Sequence, residues 1–246
     1  FAANYAVHGL DVEGYHIVNI AIHIAAGCAV FWFVWLLLGS PAMRGNVLAE
    51  RGRGILTDWR FLFALFVALM FVSHPVQTQA VTYIVQRMAS LAALFSVLAL
   101  GCYAVFAQKR ADNAPGGTVP YVLALLFTVC AMLTKENTFV LPFTMLLLDF
   151  MFYSLTAAER KKALVRFIPF ALTLLIIPLL TFQWGGSGNV SYAGNAEVGS
   201  HIPASHYLFT QFSVIVTYIR LLFLPIQQNL DYQYPVATSL FGVSTL

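Results

Sequence analysis

The sequence predicts an all-α protein, a polytopic bundle of six or seven transmembrane helices. Of its 246 residues 60% are hydrophobic and only 9% are charged, whereas about a quarter of the residues of an ordinary soluble domain are charged. The apolar stretches are too long and too unalternating for the strands of a membrane barrel. Because only helices and closed barrels pair all their backbone groups inside a bilayer, we expect residues 1–246 to form one transmembrane domain.

Charged and turn-forming residues bound the apolar stretches and so define the expected spans. Six spans are predicted, at residues 16–39, 58–74, 88–107, 119–134, 137–154 and 167–184. As a single helix, residues 119–154 would be about 54 Å long, well beyond a hydrocarbon core of about 30 Å. The chain should therefore turn at Lys135, Glu136 and Asn137.

A seventh segment, residues 207–226, allows two interpretations. Its polar residues recur at spacings of three and four and form a stripe on one helical face: Thr210, Ser213, Thr217 and Arg220. Such a stripe fits an amphipathic helix on the membrane surface, and it also fits a span that faces a polar cavity. The sequence leaves both interpretations open.

Basic residues are concentrated in every second connection between the spans, and this pattern predicts how the chain is oriented in the membrane. The first, third and fifth connections contain Arg44, Arg51, Arg53, Arg60, Lys109, Arg110, Arg160, Lys161, Lys162 and Arg166. The other connections contain only Arg87 and Lys135, and residues 1–15 and 185–205 contain no Lys or Arg. By the positive-inside rule the basic connections are cytoplasmic, and residues 1–15 and 185–205 are extracytoplasmic. The small net charge of +3 gives no sign of nucleic-acid binding.

Polar side chains at membrane depth are costly, so each one requires a partner or a function. His16, Asn19 and His23 share one face of the first span; the two histidines are about 10 Å apart along the axis, too far for one metal ion. Hydrogen bonds to neighbouring helices and a polar cavity are both open interpretations. We expect Asp149, on the inner half of the fifth span, to contact a cytoplasmic-side arginine rather than to act in catalysis.

The stretch from His74 to Arg87 lies at the outer end of two spans. Pro75 should stop or kink the second span, and the residues after it should form a short helix with one polar face: Gln79, Thr82, Tyr83 and Gln86. The stretch is either an interfacial turn or a wall of an outward-facing polar cavity.

The adjacent pair Lys135 and Glu136 at the next outer turn also has two interpretations. The two side chains could form an ion pair with each other or with neighbouring helices. Alternatively the two side chains line a cavity. Lys135 would then bind a phosphate as a compact point charge, and Arg87 would bind the same phosphate through two hydrogen bonds.

Four blocks of sequence resemble a known family. They are GLDVEGYHIVNIAIH at 9–23, HPVQTQAVTYIVQRMASLAALF at 74–95, LTKENTFVLPFTMLLLDF at 133–150 and YIRLLFLPIQQNLDYQYP at 218–235. Their order and content resemble the membrane domain of bacterial tetratricopeptide-repeat membrane proteins. Those proteins are similar to eukaryotic transmembrane O-mannosyltransferases, which belong to the GT-C glycosyltransferases.

The resemblance implies a GT-C-like enzyme of a bacterial inner membrane that takes a sugar from a polyprenyl-phosphate carrier. The acceptor in that class is usually a protein hydroxyl on the extracytoplasmic side. The implied partners are membrane lipids, the lipid-linked donor, and a protein acceptor or partner subunits. No cofactor is implied beyond a divalent cation that could accompany the lipid-linked sugar.

The candidate residues fall into two groups. The candidates for the donor and its lipid phosphate are Arg87, Lys135, Glu136, His74 and Arg220. The candidates for a polar outer cavity are His16, Asn19, Gln77, Gln79, Tyr83, Tyr218 and Asp231.

The chain departs from the family pattern at its beginning. Members carry an acidic catalytic motif in the first outward loop, and Asp11 and Glu13 do not match that motif. We therefore expect the catalytic base upstream of Phe1 and the repeats downstream of Leu246, which would make this chain a fragment that is inactive alone. The alternative is a non-catalytic membrane scaffold or anchor subunit with tetratricopeptide repeats. A transporter is disfavoured because the sequence shows no internal repeat.

Overall fold

A computed structural model describes residues 2–44, 58–184, 204–229, 232 and 234–239, and every regular element among them is a helix. The α-helices of this part of the chain are α1 Ala2–His8, α2 Val12–Leu38, α3 Trp59–Ser73, α4 Thr78–Thr82, α5 Arg87–Ala111, α6 Thr118–Thr134, α7 Leu141–Phe152, α8 Ala157–Thr173, α9 Ile176–Trp184 and α10 Ala204–Phe223. Short 3₁₀ turns stand at Pro41–Met43, Pro75–Gln77, Ile84–Gln86 and Glu136–Val140. The chain divides into two compact units, Phe1–Gly186 and Ser187–Leu246.

Three helical stretches are long and apolar enough to cross a membrane: Val12–Leu38, Ile84–Ala111 and Ala157–Leu180. A fourth candidate is the pair Trp59–Ser73 and Pro75–Thr82, which is bent by 50°. The helix α6 is apolar but shorter, and α10 is not among the candidates. The all-α fold and the presence of transmembrane helices are confirmed, whereas a total of six or seven spans stays a prediction.

The sixth predicted span differs from the helices observed in that region. The helix α8 begins at Ala157, well before residue 167, because Thr156 and Glu159 form a reciprocal capping box that starts a helix whatever the hydropathy behind it. The helix then breaks after Thr173. Pro178 explains the break, because proline has no N–H for the carbonyl of Leu174 and its ring collides with that carbonyl.

Small residues on α5 let its neighbours α2 and α6 approach closely, as is usual between helices in membranes. Ala99, Ala104 and Ala107 of α5 are completely buried. A Cβ atom on Gly101 would lie only 2.3 Å from the ring of Trp32 on α2. The close packing of α2 on α5 therefore depends on the missing side chain at residue 101.

The outside of α3 is apolar, in keeping with contact to lipid. Phe66, Leu69 and Met70 are 58%, 58% and 51% exposed. A water-soluble monomer rarely shows such a contiguous apolar surface.

The basic connections meet at one end of the first unit. Asp149 is completely buried and accepts hydrogen bonds from Arg110 at 2.8 Å, from Tyr103 at 2.9 Å and from Ser154 at 2.9 Å. The predicted contact of Asp149 with an arginine of a basic connection is thus confirmed.

An exposed ion pair joins Arg44 of the first connection to Asp112 of the third. The hydrogen bond from Arg44, with a second one from Gln108, holds the pKa of Asp112 below its usual range. We call this side of the unit the basic end.

Candidate functional site

The candidate site is built at the other end of the first unit, starting with the segment before α2. Gly9 has a positive φ of 57°, which lets the chain reverse between α1 and α2. Asp11 caps α2 by accepting a hydrogen bond from the Glu13 N–H at 3.1 Å. Asn4 on α1 donates to the Gly14 carbonyl at 3.0 Å, and Tyr15 on α2 donates to the Gly9 carbonyl at 3.0 Å. These bonds hold α1 against the first turn of α2.

Arg87 joins this segment to α5. Its side chain is buried, with 4% exposed, and three of its nitrogens donate to oxygens of the chain. Nε donates to Asn19 Oδ1 at 2.8 Å, Nη1 to Asn4 Oδ1 at 2.9 Å and Nη2 to the Tyr15 carbonyl at 2.9 Å. The guanidinium also lies 5.5 Å from the centre of the Tyr15 ring. Arg87 therefore connects α1, α2 and α5 in one polar cluster, which we call the Arg87 cluster: Asn4, Tyr15, Asn19 and Arg87.

The stretch before Arg87 is bent as predicted but is not one helix. The helix α3 ends at Ser73, and His74 Nδ1 accepts a hydrogen bond from the Val76 N–H at 3.2 Å as Pro75 opens a 3₁₀ turn. The prediction that Gln79, Thr82, Tyr83 and Gln86 share one helical face is wrong. The helix α4 stops at Thr82, and Tyr83 is extended and 53% exposed. β-Branched and aromatic residues dominate residues 81–85 and have poor helix propensity.

The turn at Lys135 lies towards the same end as Arg87. The helices α5 and α6 are joined by a short connection and run antiparallel, so α6 ends near the start of α5. Because α6 has 17 residues and α5 has 25, the Lys135 turn stops about 12 Å short of Arg87 along the axis. The predicted turn at Lys135, Glu136 and Asn137 is confirmed.

A small cavity of about 270 Å³ lies beside this turn, between α5 and α7. Ala92 and Ser96 line it from α5, and Asn137, Thr138 and Thr144 line it from the other side. Its wall is therefore apolar with a few hydroxyl and amide groups, which is typical of small-molecule sites.

The Lys135 and Glu136 side chains remain available for a ligand. Lys135 is half-buried and Glu136 is exposed. In the part of the chain that the structure describes, neither side chain forms a hydrogen bond or an ion pair. The two side chains thus form no ion pair with each other, and the interpretation that they line a cavity stays a prediction.

The other predicted site residues lie as follows. His23 contacts the Val72 carbonyl at 3.1 Å and stacks on Phe71, whereas His16, Gln77 and Gln79 are half-buried. In the second unit Arg220 and Tyr218 are exposed on α10. Asp231, Arg51, Arg53 and most of 185–205 lie outside the described residues. Among the described residues no three His, Cys, Asp or Glu lie together as a metal-binding group.

Sequence reasoning missed Asn4 and Tyr15 as members of the Arg87 cluster. Asn4 is 83 residues from Arg87, and no local spacing relates the two. Tyr15 contributes its backbone carbonyl and its ring face, neither of which a polar-residue search detects. The one available signal was the position of both residues on the predicted outer side of the membrane.

The first unit has the features of an integral membrane protein: long apolar helices, an apolar exterior, and a buried polar cluster at each end.

Comparison with known proteins identifies relatives within this broad class. The chain is 32% identical over 187 residues to the protein O-mannosyl-transferase TMTC2 of Mus musculus, covering 75% of this chain and 20% of that protein. It is 31% identical over 139 residues to TMTC4 of Homo sapiens, covering 56% and 18%, and 32% identical over 142 residues to Tmtc3 of Drosophila melanogaster, covering 56% and 15%.

These relatives are all named protein O-mannosyl-transferases, and the chain is similar to them at the level of the family. The chain spans about a fifth of the length of the curated relatives it matches. No protein-family model and no solved structure matches it.

Proposed function

We propose that this chain is part of the membrane domain of a GT-C-like glycosyltransferase in a bacterial inner membrane. The enzyme would transfer a sugar from a polyprenyl-phosphate carrier to a protein hydroxyl on the extracytoplasmic side. The observation that carries the proposal is the similarity to proteins named O-mannosyl-transferases over three quarters of the chain.

The chemistry requires a cation where the lipid phosphate departs, because a fixed positive charge stabilises the developing negative charge. Lys135 is the strongest candidate for this contact. Its ammonium forms no hydrogen bond or ion pair with the described residues, so a phosphate would displace none of these residues when it binds. Glu136 is exposed beside it and is a candidate to orient the sugar or to accompany a divalent cation.

Arg87 has a different role in this proposal. Three of its five N–H groups already donate to Asn19, Asn4 and Tyr15, so it is a positioning residue for the donor site. It holds the start of α5 against α1 and α2, and it thereby supports the outer wall that contains His74.

The donor's lipid tail needs an apolar groove that leads from the bilayer to the phosphate. The cavity between α5 and α7 offers such a groove beside the Lys135 turn, with Ala92, Leu100 and Val140 in its wall. Asn137 and Thr138 line the same cavity and could donate hydrogen bonds to phosphate oxygens.

The test is transfer of a labelled sugar from its polyprenyl phosphate by the complete protein in membranes. Replacement of Lys135 by alanine should lower the transfer rate roughly 100-fold, the typical effect of removing one group that stabilises developing charge. The matched control is Lys161→Ala, which removes the same charge from an exposed residue of α8. The amount of folded protein should not change in either variant. Equal rates for the two variants would remove Lys135 from the site.

A non-catalytic scaffold is the second candidate function. The observation that favours it is the structural use of acidic side chains: Asp11 caps α2 by accepting the Glu13 N–H, and Asp149 accepts from Arg110 and Tyr103. If the complete wild-type protein transfers no sugar from any polyprenyl phosphate, the scaffold replaces the enzyme as the function.

A further inference from the structure

A second cavity lies at the basic end, away from the Arg87 cluster. It measures about 390 Å³ and opens between the end of α5, the start of α6 and α8. Arg110 and Arg166 line it together with the rings of Phe106 and Tyr121. No part of the proposed transfer reaction uses this cavity, so its two arginines require a separate explanation.

The cavity has a net positive charge. Arg110 forms two hydrogen bonds with Asp149, at 2.8 and 3.3 Å, while Arg166 Nη2 lies 3.8 Å from the second oxygen of the same carboxylate. One carboxylate thus faces two guanidinium groups. Because arginine keeps its proton at any ordinary pH, one positive charge in this cluster has no counter-charge among Asp149, Arg110 and Arg166.

Arg166 also has donors without acceptors. Its Nε and Nη2 atoms are buried, and neither donates a hydrogen bond to the described residues. Buried donors without an acceptor are rare in native proteins, and each one calls for a physical explanation, such as strain or a bound water or ion. These two atoms are covered by the protein, so a ligand in the cavity would contact the part of the Arg166 side chain that remains accessible, which is 22% exposed.

The start of α6 adds to the attraction for an anion. Gly117 is the N-cap residue and has no side chain to accept from the first-turn amides, and both Gly117 and Thr118 line the cavity. Pro120 has no N–H, so the donors of this first turn are the N–H groups of Thr118 and Val119, which favour a negative charge nearby.

The surroundings favour a lipid as the source of that anion. The residues of α8 around Arg166 are apolar and exposed: Leu164 is 49% exposed, Val165 66% and Ile168 53%. Such a surface suits acyl chains, and the positive-inside rule assigns the basic end to the cytoplasmic leaflet, where anionic lipids gather. We propose that this cavity binds the phosphate of an anionic phospholipid, with Arg166 as its charged contact, while Arg110 holds the shared carboxylate of Asp149.

The experiment measures lipid binding to the purified chain in neutral detergent by native mass spectrometry. The probes are phosphatidylglycerol, phosphatidylcholine and inorganic phosphate. Phosphatidylglycerol should bind at least tenfold more tightly than phosphatidylcholine, and inorganic phosphate should not displace it at equal concentration. Arg166→Gln should weaken phosphatidylglycerol binding about tenfold, since one charge-assisted contact is lost. Lys161→Gln, the same charge change at an exposed residue of α8, should leave it unchanged.

A second pair of variants leaves the contacts of Asp149 intact. Ala114 lines the cavity and is exposed, so a longer side chain there does not disturb the core. Ala114→Glu should weaken phosphatidylglycerol binding about tenfold by repulsion, whereas the isosteric Ala114→Gln should not. This pair decides the question if Arg166→Gln fails to fold.

Three results would overturn the proposal. The first is equal binding of the two phospholipids, and the second is unchanged phosphatidylglycerol binding in both Arg166→Gln and Ala114→Glu. The third is displacement of the lipid by inorganic phosphate at equal concentration, which would make the cavity a site for small free anions.

Discussion

Replacement of Arg87 by alanine tests the Arg87 cluster most directly. The change removes three hydrogen bonds from a charged donor and leaves the oxygens of Asn19, Asn4 and Tyr15 without that partner. Asn19 is completely buried, so its oxygen should cost about 1–3 kcal/mol when left unpaired. The Asn4 and Tyr15 bonds are partly buried and should add about 0.5–1 kcal/mol each because water can replace the donor.

The sum is about 3 kcal/mol. At about 2–4 °C per kcal/mol for a chain of this size, the apparent midpoint of thermal unfolding should fall by roughly 6–12 °C. A thiol-reactive fluorophore can follow unfolding through Cys102, which is only 7% exposed in the folded protein. Cys28 and Cys130 are replaced by alanine in every variant, so that Cys102 is the one reacting thiol.

The control is Arg44→Ala, which removes an arginine from an exposed ion pair with Asp112. Exposed pairs contribute about 0–1 kcal/mol, so the midpoint should shift by no more than about 4 °C. Asn19→Ala and the double variant with Arg87→Ala complete a cycle. Because the two side chains share a hydrogen bond, the double shift should be smaller than the sum of the single shifts. Equal midpoints for Arg87→Ala and Arg44→Ala, or full additivity in the cycle, would refute the cluster as a stabilising unit.

Two further predictions concern packing and the basic end. Asp149→Asn should cost about 3–5 kcal/mol of stability and so lower the same unfolding midpoint by roughly 6–20 °C, because Arg110 keeps its charge and loses its carboxylate; an unchanged midpoint would contradict the buried pair. Gly101→Ala should cost about 1–3 kcal/mol, because the new Cβ would meet the Trp32 ring at 2.3 Å. The same substitution should be nearly neutral in a Trp32→Leu background, and an equal loss in both backgrounds would contradict the close contact.

Several features of the fold followed from the sequence because their causes are local. Pro75 bends the chain after α3 since proline cannot continue a helix, and the two residues Lys135 and Glu136 interrupt an apolar run too long for one span. The basic residues also predicted that the first and third connections lie on one side of the membrane, in keeping with the ion pair of Arg44 with Asp112. The early start of α8 was overlooked because a capping box at Thr156 acts independently of hydropathy.

The candidate site could be predicted only in part. The sequence marked Arg87, Asn19 and Lys135 as polar residues on the same side of the membrane, because charge at membrane depth is costly wherever it occurs. It could not say that Arg87 donates to Asn4 and Tyr15, whereas the Lys135 side chain bonds to none of the described residues. That difference depends on which helix faces which.

The sequence by itself determined that the chain is helical, that it belongs in a membrane, and where its charges are allowed to lie. These properties follow from the cost of unpaired backbone groups and of charge in a lipid environment, which each segment meets independently. Only the tertiary structure decided the pairing of residues as distant as Asn4 and Arg87, the offset between α5 and α6, and the burial of two Arg166 donors that make no hydrogen bond within the described residues. Those features depend on how closely the helices approach, and Gly101 and the buried alanines of α5 set that distance through the packing of the whole bundle.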